Sequence, residues 1–479
     1  MTTALIVGSG PNGLAAAVEL AAEGVDVTVL EAADEIGGGT RSSEAIVPGL
    51  LHDHCAAFHP MAPSSAFFKH RALDRYGLRW VRSEIDCVHP LDDGSAGVLR
   101  TSVAETAVGL GADGPRWRRL FERNAAEFDE LAEDILQPLV GLPRHTVKLA
   151  RFGLPTLLPA TVLARYFRTE QARALFAGIA AHAYQPLNRP LTSAIGLGII
   201  TGGHRNGWVV AAGCTQSIPN AMAALLCDLG AKIETGIRIE RIEQLPPADI
   251  TIFDLTPQTI ANILSDRLPA RTERRFRKFQ RSPGAFKVDF AVEGAVPWTN
   301  PDAHAAGTVH LAGSFAETVA AETAIAQGRM PERPFVLVGQ QYLADPQRSA
   351  GDVHPVYSYA HVPHGYTGDA TEAIIAQFER FAPGFRDQVI GMRVRSATDM
   401  AIDNQNFVGG DIITGAKNVR QLVFGPRISA SPYTFGVPGM YQCSAATAPG
   451  PGAHGMCGYN AARTALNCLT CHPSPRPAA

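Results

Sequence analysis

The feature that most limits the possible folds is a glycine-rich turn near the N-terminus. Residues 4–8 read ALIVG, residues 8–13 read GSGPNG, and the alanine-rich residues 14–23 predict a helix. Residues 25–30 then predict a second strand, which ends at Glu31. A strand, a glycine turn, a helix and a strand within about 30 residues, followed by an acid, form the fingerprint of a dinucleotide-binding βαβ unit.

Each glycine of the turn has a predicted task in binding a dinucleotide. Gly8 forms the tight turn, Gly10 lets the main chain approach the pyrophosphate, and Gly13 lets the helix pack closely on the strand. The first helical turn directs unpaired N–H groups at phosphate. The acid is placed to accept hydrogen bonds from the ribose hydroxyls. The residues of this unit predicted to bind cofactor are Gly8, Gly10, Pro11, Asn12, Gly13 and Glu31.

A second group of glycines, in the segment GGGTR at residues 37–41, indicates which dinucleotide is bound. Glycines there let the main chain pass beside the pyrophosphate and the ribityl chain, and an arginine can bridge phosphate charge. Attached to the βαβ unit, this segment favours FAD over NAD. It adds Gly37, Gly38, Gly39, Thr40 and Arg41 to the predicted cofactor residues.

Two distant parts of the chain are predicted to return to the same domain. Within residues 206–285, the main chain near Ile239 is expected to pass the adenine, although a packing unit without ligand is an equal alternative there. Residues 449–460 read PGPGAHGMCGYN and form a glycine loop between a strand and a helix. Such a loop directs N–H groups at the flavin O2 edge or the ribityl–phosphate segment. Its predicted cofactor residues are Gly450, Gly452, His454, Gly455 and Asn460.

The remaining chain predicts a second domain, with mostly helical residues 115–200 and strands between residues 286 and 361. The predicted fold class is therefore α/β, with a Rossmann-like FAD-binding domain built from discontinuous segments and a mixed-sheet substrate domain with a helical cap. The predicted boundaries are 1–70, 206–285 and 426–467 for the FAD-binding domain, 71–205 for the helical cap, 286–425 for the substrate domain, and 468–479 for a flexible tail.

Residues 144–173 carry six basic side chains and a single acid around the apolar run LPTLLPATVLARYF. This composition is compatible with a peripheral membrane contact or with the mouth of a lipid-substrate site. An ordinary buried helix pair, with arginine stems lying along apolar surface, is the simpler interpretation.

Net charge and the N-terminal sequence limit the cellular locations and the binding partners that we expect. The net charge of −3 gives no argument for nucleic acid, and the N-terminal residues MTTALIVGSG lack the basic region of a signal peptide. We expect a cytoplasmic protein, with peripheral membrane contact as an open option, and no metal site. The sequence predicts no oligomeric state.

These residues together resemble the phytoene desaturase-like branch of the FAD-dependent amine oxidase superfamily, and in particular its phytoene dehydrogenase-related members. The resemblance rests on the N-terminal GSGPNGL…VLEA…GGGTR, on residues 404–411 (NQNFVGGD), and on the terminal SAATAPGPGAHGMCGYNAA. It implies FAD held by distant segments, a substrate domain between them, and chemistry on long apolar molecules such as carotenoid precursors.

We expect a desaturase- or dehydrogenase-like oxidoreductase that moves a hydride from an apolar substrate, an isoprenoid or a lipid, to flavin N5. Oxygen or a quinone is the expected electron acceptor, because the sequence contains no second nucleotide fingerprint. Asp53 and His54, after the GGG segment, are the candidate acid–base residues, with His454 as a weaker candidate.

Three other functions stay open at this point. One is a redox-neutral isomerase that uses reduced FAD. Another is an amine oxidase, which needs an aromatic cage that the sequence does not locate. The third is a non-catalytic flavoprotein that binds lipids or partner proteins.

Overall fold

The computed structural model describes residues 1–139, 141–427, 429 and 431–471. Its strands are, in chain order, β1 (Thr3–Val7), β2 (Asp26–Leu30), β3 (Ser42–Ser43), β4 (His52–Asp53), β5 (Trp80–Val81), β6 (Ile85–Pro90), β7 (Ala96–Leu99), β8 (Val210–Ala211), β9 (Lys232–Glu234), β10 (Ile250–Phe253), β11 (Gly284–Glu293), β12 (Ala306–Leu311), β13 (Val336–Gly339), β14 (Val353–Val362), β15 (Val389–Arg395) and β16 (Met440–Gln442).

The α-helices lie between and around these strands. They are α1 (Pro11–Ala22), α2 (Ala66–His70), α3 (Val103–Gly109), α4 (Gly114–Ala126), α5 (Phe128–Ile135), α6 (Thr146–Thr156), α7 (Ala160–Leu163), α8 (Glu170–Ala180), α9 (Thr192–Asn206), α10 (Ser217–Asp228), α11 (Pro257–Leu264), α12 (Ala270–Arg277), α13 (Phe315–Ala326), α14 (Thr371–Phe381), α15 (Phe385–Gln388), α16 (Ala397–Asp403), α17 (Val419–Phe424) and α18 (Met456–Cys471).

A five-stranded parallel sheet, in the order β16-β10-β1-β2-β9, forms the first domain. Its central strand β1 pairs with β2 and β10, so that Ala4 lies opposite both Val27 and Ile250. The apolar residues of β1 are buried because helices cover both faces of the sheet. The strands come from three distant parts of the chain, and the predicted discontinuous Rossmann-like domain is therefore confirmed.

Helices α1 and α18 pack against each other and join the two ends of the chain. A β-carbon at Gly458 would lie 1.8 Å from the carbonyl oxygen of Asn12. Only glycine allows this approach, because any side chain would overlap the main chain of α1. Helix α18 continues to Cys471, so the first four residues of the predicted flexible tail, 468–479, are helical. The other tail residues, 472–479, lie outside the described residues.

The second domain is built on a seven-stranded mixed sheet in the order β15-β11-β14-β13-β12-β6-β7. Its long central strands β11 and β14 pair antiparallel from Gly284 opposite Val362 to Glu293 opposite Val353. The predicted mixed sheet is confirmed. Strands β6 and β7 were not predicted: they belong to the 71–205 segment and complete the sheet at the edge nearest the cap.

Helices α3 to α9 form the cap beside this sheet, around a core that includes Trp117, Phe121 and Phe176. In the part of the chain that the structure describes, no single helix has both the length and the apolar character needed to cross a membrane. The pair formed by Thr146–Thr156 and Ala160–Tyr166 meets both criteria only when it is taken together, and it is bent by 90°.

Candidate functional site

A groove opens at the carboxyl ends of β1, β2 and β10, which is where open parallel sheets bind their ligands. Its lining comes from the N-terminal βαβ unit, from the main chain around Ile239, from the segment 402–407 and from the C-terminal glycine loop. The predicted cofactor residues that line it are Gly8, Gly10, Pro11, Asn12, Glu31, Gly38, Gly39, Thr40, Arg41, Ile239 and Gly452.

The glycine turn has the geometry that a phosphate site requires. Gly8 has a φ of 102°, and a β-carbon at Gly13 would lie 2.0 Å from the carbonyl oxygen of Gly8. Helix α1 begins with Pro11, which has no N–H, so the main-chain N–H of Asn12 is the first of the helix; among the described residues it has no hydrogen-bond partner and can meet an anion. The carboxylate of Glu31 is held by the Ser9 amide at 2.8 Å, the Ser9 hydroxyl at 2.6 Å and the Ala33 amide at 2.9 Å. These donors fix one orientation of the carboxylate at the groove.

Asp254, at the end of β10, is a groove residue that sequence reasoning missed. Its Oδ2 accepts a hydrogen bond from the Gly13 amide at 2.9 Å, and a β-carbon at Gly10 would lie 2.5 Å from that oxygen. Burial raises the pKa of Asp254 to about 7, and Glu31 adds to this shift while the Gly13 N–H opposes it. Gly10 therefore makes room for a protein carboxyl group as well as for a ligand.

The GGGTR segment closes over the same turn. The Gly37 amide donates to the Ser9 carbonyl at 3.0 Å, and a β-carbon at Gly38 would lie 3.1 Å from the α-carbon of Gly10. The Arg41 guanidinium donates to the carbonyls of Gly38 and Asp403, which holds its side chain along the groove wall. The segment thus forms one wall of the groove beside the glycine turn.

The motif NQNFVGGD attaches the second domain to the floor of the groove. The side-chain nitrogen of Asn406 donates to the Asp254 carbonyl at 2.9 Å. The side-chain oxygen of Asn406 accepts from the main-chain N–H of Thr256 at 2.9 Å. Asn406 therefore fixes the main chain on both sides of the strand end.

Several predicted cofactor residues lie behind the groove instead of on it. Gly13, Gly37, Gly450 and Gly455 support its wall without lining it. His454 is buried, accepts a hydrogen bond from the Met456 amide at 3.1 Å, and has its pKa lowered by burial to about 4. Asn460 lies within helix α18, four residues after the helix begins at Met456. Its side-chain nitrogen donates to the Leu136 carbonyl at 3.2 Å. The predicted cofactor contacts of His454 and Asn460 stay predictions, and these bonds already engage the Nδ1 of His454 and the side-chain amide of Asn460.

Asp53 does not line the groove, and its bonds assign it a structural task. Burial alone would raise the pKa of Asp53, but Arg348 at 2.6 Å, the Thr215 amide and the Ser42 hydroxyl lower it overall. Arg348 also donates to Asp345 at 3.2 Å and to the Ala211 carbonyl at 2.8 Å. A carboxylate fixed in this way is not an available acid or base, which corrects the catalytic expectation.

His54 fails as the second acid–base candidate for a related reason. Its Nε2 lies 2.8 Å from the Ser43 hydroxyl, and its ring does not reach the groove. Burial, followed by the charges of Arg395 and Arg41, lowers the pKa of His54 to about 3. The imidazole is neutral at ordinary pH and too weak a base to carry a proton to or from a ligand.

Near the second domain, the groove is lined by Cys55, Ala56, Ile412 and Thr414. Behind them lies a cluster that we call the aromatic wall, formed by Tyr184, Phe335, Tyr357, Tyr359 and His361. The Tyr357 hydroxyl donates to the Cys55 carbonyl at 2.5 Å and so joins the wall to the groove. The rings of Tyr184 and Tyr359 are nearly parallel, with centroids 6.4 Å apart.

His361 occupies the centre of the aromatic wall. Its ring centroid lies 3.9 Å from that of Tyr184, and its Nδ1 lies 2.7 Å from the Glu322 carboxylate. Sequence reasoning missed this cluster because Tyr184 lies in the cap, far along the chain from Phe335 and from the residues of β14. Only the alternation of YSYAH within β14, which places its aromatic residues on one face, hinted at it.

A buried charged group lies beside the wall. Lys287 and Arg395 both form ion pairs with Asp289, and the Lys287 Nζ lies 3.9 Å from the centre of the Tyr357 ring. Burial lowers the pKa of Lys287 to about 8, although Asp289 partly offsets this shift. No cluster of three or more potential metal ligands occurs among residues 1–139, 141–427, 429 and 431–471.

Comparisons with known proteins place the fold in context. Residues 6–71 match the family model described as NAD(P)-binding Rossmann-like domain. The chain is 22% identical to pyridine nucleotide-disulfide oxidoreductase domain-containing protein 2 of Rattus norvegicus, over 96% of this chain and 92% of the relative. It is 26% identical to the phytoene dehydrogenase of Streptomyces griseus, over 81% of this chain and 77% of the relative.

A solved structure shares the fold over nearly the whole chain. The wild-type putrescine oxidase bound to putrescine superposes with a TM-score of 0.61 at 16% identity, covering 98% of this chain and 99% of the other. Part of the first domain thus matches a Rossmann-like domain, and its combination with a large mixed sheet is a fold that the chain shares with putrescine oxidase.

Proposed function

We propose that the protein is an FAD-dependent oxidoreductase that oxidises an apolar substrate. The observation that carries this proposal is the groove, which begins at Glu31, the acid predicted to bind the ribose, and extends to Cys55 and Ile412 at the second domain. A dinucleotide that lies along it would present its reacting ring to that domain. The chemistry that bound FAD would supply is hydride uptake at flavin N5 from a substrate C–H bond. Oxygen or a quinone would be the final electron acceptor.

The residues present fit this cofactor. Gly10 and the first turn of α1 would hold the pyrophosphate, Glu31 the adenosine ribose, and Ile239 the adenine. Gly452 and its neighbours would lie beside the flavin end of the groove. A β-carbon at Gly10 would lie 2.5 Å from Asp254 Oδ2 and one at Gly38 would lie 3.1 Å from the α-carbon of Gly10, so the packing of the groove wall depends on glycine at these positions.

Apolar residues around the aromatic wall support an isoprenoid or lipid substrate. Ala57, Phe335 and Leu337 pack there together with Phe58 and Ile412. The similarity to a phytoene dehydrogenase favours the same substrate class. These residues would bind the substrate chain and exclude water from the reacting carbon.

Amine oxidation is the second candidate, and a specific observation favours it. Tyr184 and Tyr359 hold nearly parallel rings in the aromatic wall, and an aromatic face attracts a cationic amine. The shared fold with putrescine oxidase supports the same alternative.

Anaerobic reduction of the purified protein distinguishes these functions. The oxidised flavin spectrum should bleach when phytoene in detergent is added and stay unchanged with putrescine. Bleaching by putrescine, together with its loss in Tyr359→Ala but not in Tyr359→Phe, would establish the amine oxidase. Turnover only after dithionite reduction, without net oxidation, would establish the isomerase. A protein that carries flavin but reacts with neither compound, and that binds lipid tightly, would establish a binding protein.

The cofactor assignment has its own test. Replacing Glu31 by alanine should weaken FAD binding by about 10- to 100-fold, because the ribose loses a charge-assisted hydrogen bond. The control is Glu35→Ala, whose side chain is exposed and does not line the groove. Equal FAD affinity of the two variants in a fluorescence titration would show that the ribose lies elsewhere.

A further inference from the structure

Exposed apolar side chains are concentrated on one part of the cap, which we call the apolar ridge. Val147 and Leu154 are 78% and 69% exposed, and they lie on one face of α6 because seven residues separate them. The opposite face of α6 buries Phe152 and Thr156 against the cap. The ridge consists of Leu142, Val147, Leu154, Leu157, Leu158 and Val162.

The basic residues near the ridge fall into two groups. Arg144, Lys148 and Arg151 form ion pairs with Glu133, Glu130 and Glu127, and their charge is therefore neutralised within the cap.

Arg165, Arg168 and Arg189 form the second group. All three are exposed, and the residues that the structure describes provide them with no ion-pair partner. Arg189 lies close to the ridge, because the Thr161 amide donates to the Leu187 carbonyl at 3.1 Å and the Leu191 amide to the Leu157 carbonyl at 3.3 Å. Three unpaired positive charges thus accompany the apolar residues.

We propose that the apolar ridge docks the protein on an anionic lipid surface. An exposed apolar face gains free energy when it enters the acyl region, and cations beside it attract acidic headgroups. Helix α6 has 11 residues and is about 17 Å long, which is too short to cross a hydrocarbon core of about 30 Å. With the 90° bend that follows, it lies in the interface and does not span the bilayer.

A second copy of this chain is a poorer occupant of the ridge. A symmetric dimer would place the same surface on both sides of the contact. The arginines beside the ridge would then face each other without an acid to pair with. An acidic lipid surface complements both the apolar residues and these charges.

Vesicle flotation of the full chain tests the proposal, and it does not depend on which cofactor or substrate is bound. The protein should float with vesicles of equal parts phosphatidylcholine and phosphatidylglycerol, and more weakly with phosphatidylcholine alone or at high salt. The variant Val147→Ser/Leu154→Ser/Leu157→Ser should lose at least tenfold in partitioning, at about tenfold for each 1.4 kcal/mol of lost burial. Arg165→Gln/Arg168→Gln/Arg189→Gln should lose about fivefold per arginine, on the anionic vesicles only.

The matched control lies on β15, whose residues Ile390, Met392 and Val394 are also exposed. Replacing these three by serine should leave vesicle binding unchanged. Circular dichroism melting should show that both serine variants remain folded. Equal loss of binding in the control, or no flotation of the original protein, would overturn the proposal. The proposal would also be overturned if the original protein were a dimer in sedimentation equilibrium and the ridge substitutions abolished the dimer without changing flotation.

Discussion

At the scale of single residues, the two acids of the groove, Glu31 and Asp254, have different surroundings. Glu31 is surrounded by three donors, whereas Asp254 is buried, with a single N–H donor to its carboxylate. Because Asp254 also lies next to Gly10, a bound pyrophosphate would come close to its carboxylate. The protonation of this residue should therefore be coupled to cofactor binding.

We expect FAD affinity to fall as the pH rises through about 7, the pKa of Asp254. A nearby anion raises this pKa further, so the complex binds a proton that the free protein releases. The loss cannot exceed about tenfold per pH unit for one proton. Asp254→Asn keeps an acceptor for the Gly13 amide and should remove the pH dependence. An unchanged pH profile of FAD affinity in this variant would show that another group titrates.

At the scale of elements, two long-range contacts hold the groove together. Glycine at position 458 allows α18 to approach α1, and the pair of Asp53 and Arg348 joins β4 to a loop of the second domain. Each contact links segments that are far apart along the chain, so their loss should affect the whole fold rather than one loop.

Replacing Gly458 by alanine should lower the free energy of unfolding by about 2 kcal/mol or more, because the methyl group overlaps the Asn12 carbonyl. The matched control is Gly198→Ala in α9, where a β-carbon would meet nothing within 4 Å. That variant should be stabilised by roughly 0.5–1 kcal/mol. Urea unfolding of both proteins measures the difference, and equal stabilities would contradict the close helix contact.

Arg348→Met should destabilise the protein by about 3–5 kcal/mol, because it leaves the buried Asp53 carboxylate without its partner. The double variant Arg348→Met/Asp53→Asn should recover part of this loss. Arg386→Met, which breaks an exposed pair with Glu372, should cause no measurable change. If Arg348→Met proved as stable as Arg386→Met in chemical unfolding, the pair would have no structural importance.

At the scale of the whole molecule, buried histidines dominate the response to acid. Burial lowers the pKa of His59, His89, His182, His204 and His454 to about 4 in each case, against about 6.5 in an unfolded chain. Below pH 6.5 the unfolded chain therefore takes up protons that the folded chain does not. Stability is present above that pH and is lost as the pH falls towards 4.

The unfolding free energy should consequently decrease by up to about 1.4 kcal/mol per pH unit for each of these histidines. The variant His204→Gln should reduce the slope by about one proton. The control His70→Gln, at an exposed position, should leave the slope unchanged. Urea unfolding across this pH range checks the prediction, and a flat stability profile would contradict it.

The βαβ unit and its glycine turn were predictable from the sequence because their signals are local. Gly8, Gly10 and Glu31 lie within one βαβ unit, where spacing alone determines which atoms meet. Asp254 escaped notice because a carboxylate after an apolar strand carries no pattern of its own. Asp53 was misjudged because its partner, Arg348, lies 295 residues further along the chain. The aromatic wall was missed for the same reason, since separate elements bring its rings together.

The parallel sheet in which β16 pairs with β10 has a consequence for how the protein is made. The βαβ unit formed by β1, α1 and β2 leaves the ribosome long before the strand and the glycine loop that complete its groove, which lie between Met440 and Gly455. All of the chain between β2 and β16 must therefore be synthesised before the groove is complete. During translation β1 therefore has an unpaired edge until β10 is made, and the groove is complete only after the segment from Met440 to Gly455 has emerged.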